Sequence, residues 1–85
     1  MEIVLSPKAL EQIEFWKKTG NKQVLIRIEK LLDSILETPF NGIGKPEALK
    51  HSLSGYWSRR INQEHRIVYK IENDLLYILT LKDHY

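Results

Sequence analysis

The spacing of apolar residues divides this 85-residue chain into a helical first half and a strand-rich second half. A short apolar run at residues 2–5 predicts a strand. Ser6-Pro7 then predicts a helix start, because serine can cap a helix and proline suits its first position. Gly20 ends this helix, whose apolar positions are Leu10, Ile13 and Trp16. A stripe from Val24 to Leu36 predicts a second helix, which Asn21 can cap and Thr38-Pro39 ends.

In the second half, alternating apolar and polar residues predict three strands joined by tight turns, at 56–61, 65–71 and 75–81. Within the middle strand, His65, Ile67, Tyr69 and Ile71 share one face, and Arg66, Val68 and Lys70 share the other. The apolar face would pack against the helices. The arginines would then line the face that the helices leave uncovered, and a glycine-rich connection at 41–46 would link helix to sheet.

Composition narrows the class of protein. A chain of this length predicts a single domain spanning residues 1–85. It has no cysteine, which excludes disulfides and thiolate metal sites and fits a reducing, cytoplasmic location. The first seven residues have no basic region and no long apolar run, so they predict neither a signal peptide nor a membrane span.

The net charge of +2 is unevenly distributed. Residues 45–70 carry six lysines and arginines against two acidic residues, whereas acidic residues are in excess over the rest of the chain. A local positive field indicates a polyanionic partner, although a solvated basic face is the plainer explanation. Arginine holds phosphate oxygens through two parallel hydrogen bonds, and aromatic side chains can stack on bases. Of the aromatic residues in this stretch, we expect Trp57 and Tyr69 to lie in the core. For Tyr56, the core and a base-stacking position both remain open.

RNA cleavage without a metal needs a base, a cation at the phosphate and an acid for the leaving oxygen. Glu47 can supply the base and His84 the acid, while the cations would come from Arg59, Arg60 and Arg66. Each residue also has an ordinary explanation as a surface acid, a solubilising arginine or a chain terminus. Two further histidines, His51 and His65, could support the site or be merely exposed. On these residues alone, a ribonuclease and an RNA-binding module remain equally open.

A long motif adds to this picture. The segment TPFNGIGKPEALKHSLSGYWSRRINQEHRIVY, residues 38–69, and the terminal His84-Tyr85 resemble the YoeB/Txe toxins of the RelE superfamily. These are the toxin halves of bacterial type II toxin–antitoxin modules. The N-terminal half agrees with them mainly in length and helical pattern.

The resemblance implies an α+β fold in which two N-terminal helices pack on a twisted antiparallel sheet. It also implies a metal-free endonuclease, without cofactor, that cuts mRNA in the ribosomal A site and leaves a 2′,3′-cyclic phosphate. By position in the motif, Glu47 would be the general base, Arg66 would steady the transition state, His84 would be the general acid and Tyr85 would lie against the substrate. By the same resemblance, Lys50, His51 and Arg60 would lie around the scissile phosphate.

Partners follow from the same resemblance. We expect a YefM/Axe-type antitoxin whose C-terminal segment folds on the toxin, and we expect the 70S ribosome with its mRNA as the target. A homodimer is possible, and no membrane contact is expected. Two alternatives remain open: a ParE-like toxin that inhibits gyrase, and an RNA-binding module without catalysis.

Overall fold

The computed structural model describes residues 1–82, so His84 and Tyr85 lie outside the described residues. Within this range the chain forms two helices, five strands and one short 3-10 turn at His51–Leu53. The helices and strands in chain order are β1 Glu2–Leu5, α1 Pro7–Lys18, α2 Lys22–Glu37, β2 Glu47–Ala48, β3 Trp57–Arg60, β4 Arg66–Glu72 and β5 Leu75–Thr80.

Both helices begin at the predicted caps. The Ser6 side chain accepts a hydrogen bond from the Ala9 N–H at 2.9 Å, and Asn21 accepts one from the Val24 N–H at 3.2 Å. Each cap satisfies a backbone donor that has no partner within its own helix. The α2 helix ends just before Thr38-Pro39, as predicted. Across residues 1–82, neither helix combines the length and the apolar character that crossing a bilayer requires.

The five strands form one sheet in the order β1-β5-β4-β3-β2. The pairs from β2 to β5 are antiparallel, whereas β1 runs parallel to β5, which makes the sheet mixed. With two N-terminal helices packed against the sheet, the predicted α+β class is confirmed. Two features are additional: the parallel β1–β5 pairing, and the two-residue β2, which is too short to produce a periodic sequence pattern.

The core lies between the helices and one face of the sheet. Its helical residues include Trp16, Ile28, Leu31 and Ile35, and its strand residues include Ile67, Tyr69, Leu76 and Ile78. In α1 the inward positions are Ala9, Gln12 and Trp16. Leu10, one of the three apolar residues that indicated this helix, is 52% exposed.

The structure contradicts one predicted site residue, because Arg59 is fully buried. It pairs with the core residue Ile67 across β3 and β4, so its side chain faces the helices and not the uncovered side. Its five N–H groups all donate to neutral acceptors, which excludes the predicted role in RNA binding. These acceptors are the Tyr69 hydroxyl at 3.1 Å, the Ser34 hydroxyl at 2.7 Å and the carbonyls of Ile43, Thr38 and Asn41 at 3.1, 2.7 and 2.6 Å.

These hydrogen bonds fasten the connection between α2 and β2 onto the sheet. Two glycines let this segment wrap closely around the guanidinium group, with φ angles of 113° at Gly42 and 84° at Gly44. A Cβ atom at Gly42 would lie 3.1 Å from the Arg59 Nη1 atom, and one at Gly44 would lie 2.7 Å from Leu31 Cδ2. The segment leads directly into Glu47, so Arg59 takes part in placing β2.

Tyr69 completes this buried network and predicts a pH dependence. Its hydroxyl accepts from Arg59 and donates to the Pro39 carbonyl at 2.7 Å. Burial raises the pKa of Tyr69, and the adjacent Arg59 offsets only part of that rise. A raised folded-state pKa means that the folded protein holds the phenol proton more tightly than the unfolded chain does. This stabilisation is complete below the ordinary tyrosine pKa of about 10 and is lost as pH rises through the folded-state value.

We therefore expect the free energy of unfolding to fall as pH rises above about 10, and to fall less steeply in Tyr69→Phe. Urea unfolding at a series of alkaline pH values measures the two slopes. The matched control is Tyr56→Phe, because Tyr56 lies outside the core cluster. Equal slopes for the wild type and Tyr69→Phe would contradict the prediction.

Candidate active site

Glu47 and Arg66, which are 19 residues apart in sequence, meet on the side of the sheet away from the helices. The Arg66 Nη1 atom lies 3.4 Å from the Glu47 Oε2 atom and 3.2 Å from the Ser58 hydroxyl. Strand β2 places Glu47 opposite Ser58, and the β3–β4 pairing places Arg60 opposite Arg66. We call this side the second face. Its residues are Glu47, Ser58, Arg60, Arg66, Val68, Lys70 and Tyr77.

The Glu47 carboxylate and the Arg66 guanidinium group are both accessible to a ligand. The Glu47 side chain is 63% exposed and the Arg66 side chain 19%. Within residues 1–82, both hydrogen bonds of Arg66 use Nη1, so Nε and Nη2 remain available for a bidentate contact. A carboxylate that can take a proton and a guanidinium that can hold a phosphate are thus presented side by side.

The other predicted site residues lie on or just after the strands that carry Glu47 and Ser58. Arg60 is exposed, and its backbone N–H donates to the Gly44 carbonyl at 2.7 Å. Lys50 and His51 come just after β2, separated from it by Leu49, and are also exposed, with His51 in the left-handed region at φ 58°. His65 differs from these residues, because its ring packs edge-on against Trp16 with a centroid separation of 4.9 Å.

Sequence analysis did not identify Ser58. Its side chain is buried and accepts a hydrogen bond from Arg66, which helps to set the direction of the guanidinium group. The signal was present in the strand alternation, because Ser58 must face the side opposite to Arg59. Recognising it required knowledge of which side the helices cover.

Gln12 was also missed. Its side chain is buried in α1 and accepts a hydrogen bond from the Leu81 N–H at 2.6 Å, while the Trp16 indole donates to the Leu81 carbonyl at 3.0 Å. These two bonds fix the backbone three residues before His84. The polar residue on an otherwise apolar helix face was the available signal.

We expect Gln12→Leu to lower the free energy of unfolding by about 1–3 kcal/mol, because it leaves the buried Leu81 N–H without an acceptor. Urea unfolding at neutral pH measures the change. The control is Gln23→Leu at an exposed position of α2, which should shift stability by no more than about 0.5 kcal/mol. Equal stability of the two variants would show that the Gln12 hydrogen bond contributes nothing.

In the part of the chain that the structure describes, no group of three or more histidine, aspartate or glutamate side chains is arranged to hold a metal ion. What residues 1–82 do bring together is a carboxylate, a hydroxyl and a guanidinium group, from Glu47, Ser58 and Arg66.

Comparison with known proteins agrees with this fold over its full length. The toxin YoeB of Escherichia coli K12 is 42% identical over 85 residues, which covers both chains completely. The YoeB/ParE toxin from Agrobacterium tumefaciens superposes with a TM-score of 0.96 at 38% identity, again over both whole chains. One chain of a YoeB–YefM heterotetramer from Staphylococcus aureus superposes with a TM-score of 0.90 at 42% identity. The match covers all of this chain and 98% of that chain.

A family model, described as the YoeB-like toxin of bacterial type II toxin–antitoxin systems, matches residues 5–85. The match includes the Glu47–Arg66 pair and extends to the end of the chain. This chain therefore belongs to the YoeB-like toxins of bacterial type II toxin–antitoxin systems.

Proposed function

We propose that this toxin is an endoribonuclease that cleaves mRNA in the A site of the translating ribosome. The single observation that supports it most strongly is the contact between Glu47 and Arg66 on the second face. A carboxylate beside a guanidinium, both open to a ligand, is what the cleavage of a phosphodiester by its own 2′-hydroxyl requires.

In the proposed reaction, Glu47 takes the proton from the 2′-hydroxyl, and the resulting oxygen forms a bond to phosphorus. Arg66 holds the phosphate oxygens on which negative charge grows. The bond from phosphorus to the 5′-oxygen then breaks, and His84 gives that oxygen its proton. The products are a 2′,3′-cyclic phosphate and a 5′-hydroxyl, and no step needs a metal ion.

The remaining motif residues would position the RNA. Tyr85 would lie against the substrate, and Lys50, His51 and Arg60 would hold phosphates on either side of the cleaved bond. The exposure of the last three residues supports this assignment. Ser58 would act as a positioning residue, because it hydrogen-bonds Arg66 and would not touch the substrate itself.

We further propose an antitoxin of the YefM/Axe type as the partner, because a related toxin from S. aureus forms a heterotetrameric YoeB–YefM complex. An acidic antitoxin segment that folds on binding would suit the excess of cations between residues 45 and 70. A YoeB dimer is also known from S. aureus, which makes a homodimer the proposed state of the toxin without antitoxin.

The test is translation of one defined message on purified ribosomes, with and without a chelator. We expect cleavage at a codon in the A site, at the same rate in both conditions, mapped by primer extension. An intact message on ribosomes that still bind the toxin would instead identify an RNA-binding module. An intact message combined with blocked DNA supercoiling by gyrase would identify a ParE-like activity.

A further inference from the structure

A small cavity opens on the second face, beyond the Glu47–Arg66 pair. Its volume is about 240 Å³. The lining residues are Tyr56, Lys70, Glu72, Asn73, Leu75 and Tyr77. Two aromatic rings, a lysine, a carboxylate and an amide thus surround one concave space that no step of the proposed reaction uses.

Lys70 lies close to three other side chains that line this cavity. Its Nζ atom lies 5.2 Å from the centre of the Tyr56 ring, 5.6 Å from that of Tyr77 and 3.5 Å from Glu72 Oε1. Partial burial lowers the pKa of Lys70. Glu72 and the Tyr56 hydroxyl together raise this pKa by more than burial lowers it, so it lies above its usual value. Lys70 is therefore charged at neutral pH.

The cavity and the candidate active site are parts of one continuous surface. Lys70 and Arg66 lie on the same face of β4, four residues apart, which corresponds to about 13 Å along a strand. Tyr77 on β5 lies directly opposite Lys70 on β4. A single RNA strand that places its cleaved phosphate at Arg66 can reach this cavity within a few nucleotides.

The charge balance indicates which part of a nucleotide the cavity suits. Glu72 lies close enough to Lys70 to offset its positive charge locally, which disfavours a phosphate or an acidic peptide at this point. A neutral base fits better, because a lysine donor and a carboxylate acceptor side by side can both bond to its edge. Aromatic rings beside such groups are typical of surfaces that bind single-stranded RNA.

We propose that this cavity is a base-binding subsite for a nucleotide that flanks the cleaved bond. The inference rests on the proposed function, because it takes the same RNA strand as the ligand. Tyr77 and Tyr56 stack on the base, while Lys70 and Glu72 contact its hydrogen-bonding edge. The subsite would make cleavage depend on the identity of one base outside the scissile phosphate.

The experiment measures binding of the full-length toxin to a labelled oligoribonucleotide that spans a cleavage site. A 2′-O-methyl group at the cleaved nucleotide removes the nucleophile, and each flanking base is replaced in turn by an abasic unit. We expect one abasic position to weaken wild-type binding about 5- to 100-fold, as for one stacked base. The same abasic unit should cause no further loss in Tyr77→Leu, whereas Tyr77→Phe should behave like the wild type.

Lys70→Gln should weaken binding of the intact oligonucleotide, and Lys30→Gln, an exposed lysine on α2, is the charge-matched control. Thermal unfolding checks that each variant is folded. The proposal is overturned if no abasic position matters to the wild type, or if every position affects the wild type and Tyr77→Leu equally.

Binding and cleavage are measured separately, so the two proposals fail in different ways. Position-specific base binding by a toxin that does not cut mRNA on ribosomes would overturn the proposed function alone. Cleavage on ribosomes without any coupling between an abasic position and Tyr77 would overturn the subsite alone.

Discussion

Replacing Arg59 by lysine is expected to lower the free energy of unfolding by about 3–5 kcal/mol. The guanidinium group donates five hydrogen bonds inside the protein, and three of the acceptors are backbone carbonyls of the segment between α2 and β2. A lysine has only three donors on one atom and cannot reach acceptors arranged around a planar group. The substitution would leave a buried charge poorly solvated and carbonyl groups without donors.

Thermal unfolding measures this effect, and for a chain of this size the expected loss corresponds to a decrease in Tm of more than about 12 °C. Arg60→Lys is the matched control, because Arg60 is the next residue in β3 and is exposed on the opposite face. It should change stability by no more than about 0.5 kcal/mol. Arg59→Lys with a Tm within about 4 °C of the wild type would contradict the proposed importance of the network.

Replacing Glu47 by glutamine is expected to reduce the rate of mRNA cleavage about 10²- to 10⁴-fold while leaving the protein folded. Glutamine has nearly the same shape and can still accept a hydrogen bond from Arg66, but it cannot take a proton from the 2′-hydroxyl. The loss should therefore appear in kcat rather than in KM. Single-turnover cleavage of a message on programmed ribosomes measures it.

The control for this variant is Glu29→Gln, an exposed acid on α2 that makes the same change in charge far from the second face. It should cleave at the wild-type rate. Arg66→Lys gives an independent check, because it keeps the positive charge and removes the planar fork, so it should also be slow. Cleavage by Glu47→Gln at the wild-type rate would exclude Glu47 as the base.

The prediction that Arg59 lies on the uncovered face of the sheet was wrong, because the sequence pattern was insufficient to assign the faces of β3. Arg59 and Arg60 are adjacent in one strand, so their side chains must point to opposite faces, and one of them had to face the helices. A buried arginine is unusual, and the pattern alone favoured placing both on the uncovered side. The acceptors that make burial possible come from Ser34 on α2, from the segment at 38–43 and from Tyr69, which only the folded chain brings together.

Local sequence was sufficient wherever a structure depends on near neighbours. The helix caps at Ser6 and Asn21, the end of α2 before Thr38-Pro39 and the alternation in β4 all follow from interactions within a few residues. Such interactions are governed by side-chain chemistry and backbone sterics, so the residue types alone predict them. The choice of Glu47 and Arg66 as partners came from a motif, which names residues without giving distances.

Long-range pairing was decided by the tertiary structure. Three features join parts of the chain that are separated in sequence. They are the parallel pairing of β1 with β5, the pairing of the short β2 with β3, and the contact between Glu47 and Arg66. A two-residue strand has no period to detect, and a strand's partner depends on which apolar faces the whole chain can bury at once. The sequence therefore determined which residues could do the chemistry, and the packing of helices on the sheet decided which of them face the solvent together.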